Sequence, residues 1–474
     1  MAFNSFQFLY FLIACFVVFH GLPERFRSPF LLLASYYFYG SWEVLFLILI
    51  FSSTVLDYFC GKTIGNSKNE NIRKLFLGLS LTGNLGLLFV FKYFDFFSVS
   101  FAKLFAMSGN SYSPIILDLI LPVGISFYTF QTLSYTIDIY RKEIKPINNF
   151  FQFALFVSYF PQLVAGPIER AKNLLPQLEK LSGVTADKFK GGIWLILLGL
   201  FKKVVIADNL SRIVEPAFDS PGVGGGFQML LALYAFTFQV YGDFSGYSDI
   251  ARGTSKLFGI ELRLNFQIPF FAKNIQIFWN RWHMSLSSWL KDYVFFPLML
   301  RGPLRDKAKS SLFVSMLLIG IWHGAAWKYA VFGLYHGTLL IVFESTRKIR
   351  KKIRNAGGGF QKKCWSLFCI VLTYHLAAVG GLAIFGCKWL ARLKQMGETV
   401  IYDFSFHEKG FIMLGQMIYY VGPLLLLHLY KEKYGQDCYK EWSWSTQLLV
   451  MWYLLLMILF HGTVEGGYFI YFQF

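Results

Sequence analysis

Three of the eight histidines, His283, His323 and His336, are the first candidates for chemistry in this chain. His283 stands in IFWNRWHMSLSSWLKDY at 277–293, and His323 and His336 stand in IGIWHGAAWKYAVFGLYHG at 319–337. An ionisable side chain in an apolar membrane segment is costly and usually faces an interior cavity, so each is a functional candidate. A neutral imidazole accepts a proton near pH 7, which makes proton transfer the chemistry that these residues favour.

The spacing around His283 predicts an amphipathic helix at a membrane interface. Large apolar side chains recur at intervals of three and four residues through 277–293, as one face of a helix requires. Asn280 lies three residues before His283, so on such a helix the two side chains share a face and can act together. The alternative is that His283 is a polar residue at the level of the lipid headgroups.

The apolar run 311–343 is too long for one crossing of a bilayer. As a continuous helix it measures about 50 Å, whereas the hydrocarbon core is about 30 Å thick. We expect a break near Gly324 and Lys328, inside the protein, because irregular backbone at membrane depth needs polar partners. His336 follows His323 by thirteen residues, so the two form one site only if the helix breaks between them. Packing within the protein is the alternative role for His323.

Two carboxylates follow an apolar stretch in YGDFSGYSD at 241–249. Asp243 and Asp249 could serve an ion path, anchor hydrogen bonds or cap a helix. Aspartate close to serine and glycine is typical of turns and helix ends, so a structural role is favoured.

The cysteines give no sign of a metal site. None of the six has a paired CxxC spacing, which argues against zinc binding and against a disulfide framework. We expect packing roles for all of them and no bound metal. They are Cys15, Cys60, Cys364, Cys369, Cys387 and Cys438.

The elements that position these residues are predicted to be membrane helices. Of the 474 residues, 55% are hydrophobic and 15% are charged, whereas soluble domains carry about 25% charged residues. Apolar runs of near-spanning length predict about ten to thirteen transmembrane helices in a single membrane domain over residues 1–474. The runs are 7–22, 29–51, 76–91, 113–136, 190–206, 227–241, 311–343, 365–386, 411–428 and 446–460.

The surplus of positive charge agrees with a membrane topology. Lysine and arginine number 45 against 27 acidic residues, a formal net charge of +18. Basic loops beside apolar spans tend to remain in the cytoplasm, and this pattern excludes nucleic acid as the partner. No basic stretch precedes 7–22, which predicts a retained first span and not a cleaved signal. The densest basic cluster is Arg347, Lys348, Arg350, Lys351, Lys352, Arg354, Lys362 and Lys363.

Six sequence blocks together resemble the membrane-bound O-acyltransferase family and, within it, the alginate O-acetyltransferase branch. The resemblance covers most of the chain to about residue 345, with the motifs concentrated in 31–345, and is loose in 346–474, where C-terminal membrane helices are expected. The blocks are LLLASYYFYGSW at 31–42, PVGISFYTFQTLSYTIDIYR at 122–141, YFPQLVAGPIER at 159–170, YGDFSGYSDIARGTSKLFGIEL at 241–262, NFQIPFFAKNIQIFWNRWHMSLSSWLKDY at 265–293 and GIWHGAAWKYAVFGLYHG at 320–337.

The resemblance implies an all-α polytopic membrane fold and a set of site residues. Membrane helices would surround a central core, with short interfacial and re-entrant helices and a tunnel that meets a buried histidine. The resemblance places that catalytic histidine at His323 and a second characteristic histidine at His283. We expect Asn280 and Trp322 to be supporting residues. His323 would be the base or an acyl-relay nucleophile, and His283 with Asn280 would position the substrate or stabilise the oxyanion.

The resemblance also implies a reaction and partners. An acyl group, foremost acetyl, would pass from a cytoplasmic thioester such as acetyl-CoA across the bacterial inner membrane toward hydroxyls of a cell-envelope polysaccharide. No bound cofactor is expected, and an extracytoplasmic partner protein would receive the acyl group. The acceptor stays open among alginate, another exopolysaccharide, peptidoglycan and a lipid-linked glycan.

Two other functions remain to be weighed. One is a D-alanyl transferase that acts on teichoic acid and uses a carrier-protein thioester as donor. The other is a secondary transporter, but such proteins commonly contain paired repeats with matching broken helices. The sequence has no second copy of the WHG or NRWH regions.

Overall fold

The computed structural model describes residues 1–463 except 111, 165, 182, 220–223, 301, 357 and 388–389, and it leaves the side chains of 353–356 undescribed. Throughout this part the chain forms helices, and no strand occurs in it. The predicted all-α fold is therefore confirmed. The Arg354 side chain of the basic cluster and residues 464–474 of the expected C-terminal helices lie outside the described residues.

Five helical segments of the described chain are long and apolar enough to cross a membrane, which confirms the membrane class. Two shorter apolar helices are Phe6–Gly21 and Ala308–His323. The total of about ten to thirteen spans stays a prediction, because length and composition do not decide which shorter helices cross. The five segments are Leu45–Asn66, Glu70–Met107, Gly359–Gly386, Glu408–Tyr434 and Trp444–His461.

The chain divides into two compact units. The first comprises Met1–Ile196 and Ser248–Arg263, and the second comprises Leu197–Tyr247 and Leu264–Phe474. All three candidate histidines belong to the second unit. The single membrane domain stays a prediction.

The described part of the first unit contains nine complete α-helices and most residues of a tenth. Hydrogen bonds between polar side chains join some of these helices. The ten helices are α1 (Phe6–Gly21), α2 (Glu24–Gly40), α3 (Leu45–Asn66), α4 (Glu70–Leu88), α5 (Phe94–Met107), α6 (Ile125–Tyr140), α7 (Phe150–Ser158), α8 (Phe160–Leu163), α9 (Ala171–Glu179) and α10 (Ala186–Leu200).

A buried carboxylate joins α3 to α4. Asp57 on α3 accepts hydrogen bonds from Ser80 Oγ at 2.6 Å and from Asn84 Nδ2 at 2.8 and 3.0 Å, both on α4. Ser53 Oγ on α3 donates to Asn84 Oδ1 at 2.6 Å. A buried polar group is costly unless it is hydrogen-bonded, so this network fixes the register of the two helices.

The second unit contains the remaining α-helices of the described chain, except for the last residues of the helix Gly226–Leu257, which belong to the first unit. These helices include the ones that carry the candidate site. The remaining helices are α11 (Asp208–Asp219), α12 (Gly226–Leu257), α13 (Ile275–Arg281), α14 (Met284–Leu290), α15 (Phe296–Leu300), α16 (Ala308–His323), α17 (Trp327–Ser345), α18 (Arg347–Ala356), α19 (Gly359–Thr373), α20 (Gly381–Gly386), α21 (Leu390–Tyr402), α22 (Glu408–Tyr434) and α23 (Trp444–His461).

The predicted break in the run 311–343 is confirmed, because α16 ends at His323 and α17 begins at Trp327. The two helices form a hairpin that packs closely through glycines. A Cβ atom on Gly320 would lie 2.2 Å from a carbonyl oxygen of α17, and one on Gly333 would lie 2.6 Å from a carbonyl oxygen of α16. This close approach fixes the turn at which His323 stands.

Asp243 and Asp249 lie inside α12, so their predicted position at a turn or helix end is wrong. Asp243 Oδ1 lies 2.7 Å from Lys203 Nζ, which also lies 2.8 Å from Asp208 Oδ1. Asp249 Oδ1 lies 3.4 Å from Arg252. The two aspartates thus anchor ion pairs, because the low dielectric of a buried site strengthens the attraction of opposite charges.

Packing roles hold for most of the cysteines. Cys15, Cys60, Cys387 and Cys438 are buried and free. Cys364 is exposed, so a packing role is wrong for it. It lies on the first turns of α19, directly after Lys362 and Lys363.

Candidate active site

His283 lies at a break between two short helices, so the single helix predicted for 277–293 is wrong. α13 ends at Arg281, α14 begins at Met284, and the His283 backbone has a φ of 43°. This left-handed conformation is uncommon for residues other than glycine and persists where the surroundings hold it. The side chain is completely buried.

The side chain of Asn265 holds this break in place and determines the tautomer of His283. Asn265 Oδ1 lies 3.2 Å from the Ser285 backbone nitrogen, 2.9 Å from Ser285 Oγ and 3.2 Å from His283 Nδ1. A backbone N–H can only donate, so the amide atom that faces Ser285 is the oxygen. The same oxygen then accepts from His283 Nδ1–H. The lone pair of the neutral imidazole is therefore on Nε2.

Aromatic rings surround His283 and exclude water from it. Its ring centroid lies 4.6 Å from that of Phe244 and 6.0 Å from that of Trp322. His283 is outside the helices that can span a membrane by length and composition. Burial lowers the pKa of this imidazole to about 3, because the charged form loses its hydration. His283 is accordingly neutral at physiological pH.

His323 ends α16 and is enclosed by three aromatic side chains. Its ring centroid lies 5.2 Å from Trp322, 5.3 Å from Phe385 and 5.6 Å from Phe332. Trp322 thus contacts the rings of both His283 and His323. The structure brings the two predicted histidines and the predicted supporting tryptophan into one buried cluster.

His336 reaches the same cluster from α17. Its ring centroid lies 4.6 Å from that of Phe332, which also contacts His323, and 5.0 Å from that of Trp279. The break between α16 and α17 thus meets the condition under which the two histidines were expected to form one site. A Cβ atom on Gly381 would lie 2.2 Å from His336 Nε2, so only glycine leaves room for this ring.

Asn280 does not belong to this cluster. Its side chain is exposed, whereas His283 is buried. The expectation that the two share a helical face is wrong, because α13 ends at Arg281 and the backbone turns at His283. Asn265, and not Asn280, is the asparagine in contact with the imidazole.

Several residues of the cluster could not be found by spacing. Asn265 precedes His283 by 18 residues, but no continuous helix or strand joins the two, so their spacing along the chain does not predict the contact. Phe385 and Gly381 lie beyond residue 345, where the sequence offers no motif. Within the described residues, no group of three or more His, Cys, Asp or Glu side chains could hold a metal ion. The groups in this cluster that can accept and donate protons are its imidazole rings.

Comparison with known proteins assigns the chain to a family. The sequence profile of MBOAT, the membrane-bound O-acyltransferase family, matches residues 42–376, a range that includes His283, His323 and His336. The chain belongs to the membrane-bound O-acyltransferase family. The matched range is well over half of the chain, and it contains both helices of the α16–α17 hairpin.

Relatives within the family confirm the predicted resemblance to its alginate O-acetyltransferase branch. The chain is 38% identical over 347 residues to the probable alginate O-acetylase AlgI of Pseudomonas aeruginosa, covering 72% of this chain and 66% of that protein. It is 36% identical over 356 residues to the peptidoglycan O-acetyltransferase of Helicobacter pylori, covering 69% and 66%. The match thus spans slightly less than two thirds of either relative.

A further relative is named for the transfer of a different acyl group, D-alanyl. The chain is 34% identical over 279 residues to the teichoic acid D-alanyltransferase of Bacillus subtilis, covering 56% of this chain and 68% of that protein. The two relatives named for O-acetylation therefore align with a larger share of this chain than the D-alanyltransferase does.

Proposed function

We propose that this protein moves an acyl group, by preference acetyl, from a cytoplasmic thioester across the bacterial inner membrane toward hydroxyls of a cell-envelope polysaccharide. The observation that carries the proposal is the buried cluster in which Trp322 contacts both His283 and His323. Acyl transfer to a hydroxyl requires a base that accepts one proton and returns it, and neutral imidazoles enclosed by aromatic rings are suited to that task.

His323 is the base in this proposal. It takes the proton of the attacking hydroxyl while the hydroxyl oxygen bonds to the carbonyl carbon of the thioester. As the carbon–sulfur bond breaks, the imidazolium returns the proton to the departing thiolate, so an ester and a free thiol are formed. In the relay form of the reaction, the imidazole nitrogen itself carries the acyl group before the hydroxyl takes it.

His283 positions the acceptor through a donor group other than the attacking hydroxyl, because the single proton of that hydroxyl goes to His323. Because its Nδ1–H is engaged by Asn265, its Nε2 lone pair is the atom that can accept a hydrogen bond from the incoming substrate. A neutral imidazole in this tautomer has no hydrogen on Nε2 to offer an oxyanion. The tautomer therefore supports the positioning role of His283 over the oxyanion role.

The names of the relatives guide the choice of acyl group and acceptor. Those named for acetylation of alginate or peptidoglycan align over 69–72% of this chain, against 56% for the D-alanyltransferase of Bacillus subtilis. We therefore propose acetyl-CoA as donor, without a resident cofactor, and a polysaccharide hydroxyl as final acceptor. An extracytoplasmic partner protein completes the transfer.

The test is a donor comparison in membrane vesicles. Vesicles with and without the protein receive labelled acetyl-CoA or a labelled D-alanyl carrier-protein thioester, together with a polysaccharide fraction from the same cells. We expect label in the polysaccharide or in a partner protein only when the protein is present and the donor is acetyl-CoA. Transfer from the carrier-protein thioester alone would show that the protein is a D-alanyl transferase and not an acetyltransferase. Transfer from neither donor would overturn the proposed function.

A further inference from the structure

A single aromatic side chain of α20, Phe385, faces the imidazole of His323. Their ring centroids are 5.3 Å apart, and their planes are nearly perpendicular, at 89°. Aromatic rings in edge-to-face contact have centroids about 4.5–7 Å apart, so these two rings touch. Phe385 is 2% exposed and lies beyond residue 376, where the match to the family profile ends. One boundary of the space beside His323 is therefore set by a residue outside the part of the chain that the family profile matches.

Two further rings bound the same space. The ring centroid of Trp322 lies 5.2 Å from that of His323, and the centroid of Phe332 lies 5.6 Å from it. Phe332 and Phe385 also contact each other, with their centroids 5.8 Å apart. An acyl group that reacts beside the imidazole lies against these rings, so its length is limited by how far they can yield.

The Phe385 ring is held from the side opposite its contact with Phe332. The ring of Tyr329 lies 5.2 Å from that of Phe385. Tyr329 in turn packs on the turn that follows His323, where a Cβ atom on Gly324 would lie 2.2 Å from Tyr329 Cε2. Rings packed this closely yield only at a cost to the packing around them.

The backbone that carries Phe385 is fixed as well. A Cβ atom on Gly386, the next residue of α20, would lie 2.3 Å from the ring of Phe236. The carbonyl of Cys387, which follows α20, accepts a hydrogen bond from Lys328 Nζ at 3.2 Å. Helix α20 is therefore in close contact with α12 and is tied to the start of α17. Neither the Phe385 ring nor its helix can withdraw without breaking these contacts.

We propose that Phe385 determines the size of the acyl group, since it admits acetyl beside His323 and excludes acyl chains that are longer by one or more methylene groups. The inference rests on the proposed function for the reaction at His323 and adds the residue that selects the acyl chain. One methylene group in an apolar pocket changes kcat/KM by about 10- to 200-fold, which sets the size of the expected effect.

A matched pair of variants separates this role from general packing. Phe385→Leu removes the ring and keeps an apolar side chain. The control is Phe153→Leu in α7, a phenylalanine that is 0% exposed and whose ring contacts are with Tyr58, Tyr135 and Phe156. Both changes remove the same atoms from a buried site, and Tm in detergent reports the packing that each one loses. Phe385→Met is the second variant if Phe385→Leu does not accumulate in the membrane.

The measurement is kcat/KM for acetyl-CoA and propionyl-CoA in membrane vesicles. The ratio of the two values within one protein is independent of how much of that protein is folded, so loss of stability alone does not move it. We expect wild type and Phe153→Leu to prefer acetyl by at least about tenfold and Phe385→Leu to prefer it by less than about threefold. A wild type that uses both donors equally, or a Phe385→Leu ratio equal to that of the control, would overturn the proposal.

Failure of the proposed function gives a different result. If acetyl-CoA is not a donor, the same comparison is made with carrier-protein thioesters of D-alanine and of D-2-aminobutyrate, which differ by one methylene group. A preference for D-alanyl that Phe385→Leu loses and Phe153→Leu keeps would support size selection by Phe385 although acetylation is overturned. An unchanged preference, or no transfer from either class of donor, would overturn the role of Phe385 together with acetylation.

Discussion

At the scale of single residues, one amide oxygen determines what His283 can do. Asn265 Oδ1 has three donors around it, namely the backbone nitrogen and hydroxyl of Ser285 and Nδ1 of His283. Without that oxygen, the imidazole could turn or adopt the other tautomer, and the backbone at φ 43° would lose a constraint. The orientation of His283 Nε2, the atom that positions the substrate in this proposal, therefore depends on a residue that does not itself touch the substrate.

Replacing Asn265 should lower the turnover rate. Asn265→Ala leaves buried donors unsatisfied, at a cost of about 1–3 kcal/mol. We expect kcat to fall by about 5- to 100-fold with a smaller change in KM, because the acceptor is less well oriented. The measurement is acetyl transfer in vesicles that contain equal amounts of each protein.

The exposed Asn280 supplies the control for that experiment. Asn280→Ala should keep kcat within about twofold of wild type, since surface substitutions away from such contacts have small effects. If Asn280→Ala were as impaired as Asn265→Ala, the assignment of Asn265 as the positioning residue would be wrong.

At the scale of elements, the α16–α17 hairpin and the short helix α20 together form the surroundings of His323 and His336. Phe385 of α20 contacts His323, and Gly381 of α20 leaves space for the ring of His336. The hairpin was predictable, because a run of 33 residues is too long for one crossing. The role of α20 was not, because tertiary contact alone brings it to the site.

A methyl group at Gly381 should disturb the cluster. Gly381→Ala places a Cβ atom 2.2 Å from His336 Nε2, and overpacking of this kind costs about 1–3 kcal/mol. We expect a lower Tm in detergent and about a tenfold lower transfer rate. The control is Gly415→Ala in α22, where no atom lies within 4 Å of the added Cβ. A Gly381→Ala protein that matched this control in both measurements would contradict the close contact.

The single helix predicted for 277–293 does not form, and the reason lies in contacts with another segment of the chain. Its apolar spacing is correct for a helix, but Asn265 accepts from Ser285 and its carbonyl accepts from the Met284 nitrogen at 2.9 Å. These contacts from a distant part of the sequence start α14 anew after His283. Local periodicity contains no information about such a partner, so the break and the exposure of Asn280 could not be predicted.

At the scale of the whole molecule, composition predicted the membrane class and the sequence blocks predicted the family. The apolar runs gave the positions of several long helices, such as Leu45–Asn66 and Trp444–His461. They did not determine the number of crossings, since short and broken helices fill much of the chain. His283, His323 and Trp322 were found from motifs, whereas Asn265 and Phe385 join the site only through folding.

The orientation of the molecule can be tested with a native cysteine. Cys364 is exposed and follows the basic helix α18, which we expect on the cytoplasmic side because basic segments beside apolar spans tend to stay there. A maleimide that does not cross membranes should therefore label the protein in inside-out vesicles and not in intact cells. The loss of this label in Cys364→Ser identifies the site, and labelling in intact cells would reverse the topology.

The most direct test of the account is acetyl transfer by His323→Ala beside His407→Ala. His407 is an exposed histidine remote from the cluster in sequence, so its replacement controls for the loss of an imidazole. With equal protein in the membrane, we predict that His323→Ala loses at least about a hundredfold in transfer from acetyl-CoA, because the proton of the hydroxyl has no acceptor. His407→Ala should keep its activity. Transfer by His323→Ala at the rate of His407→Ala would contradict the account.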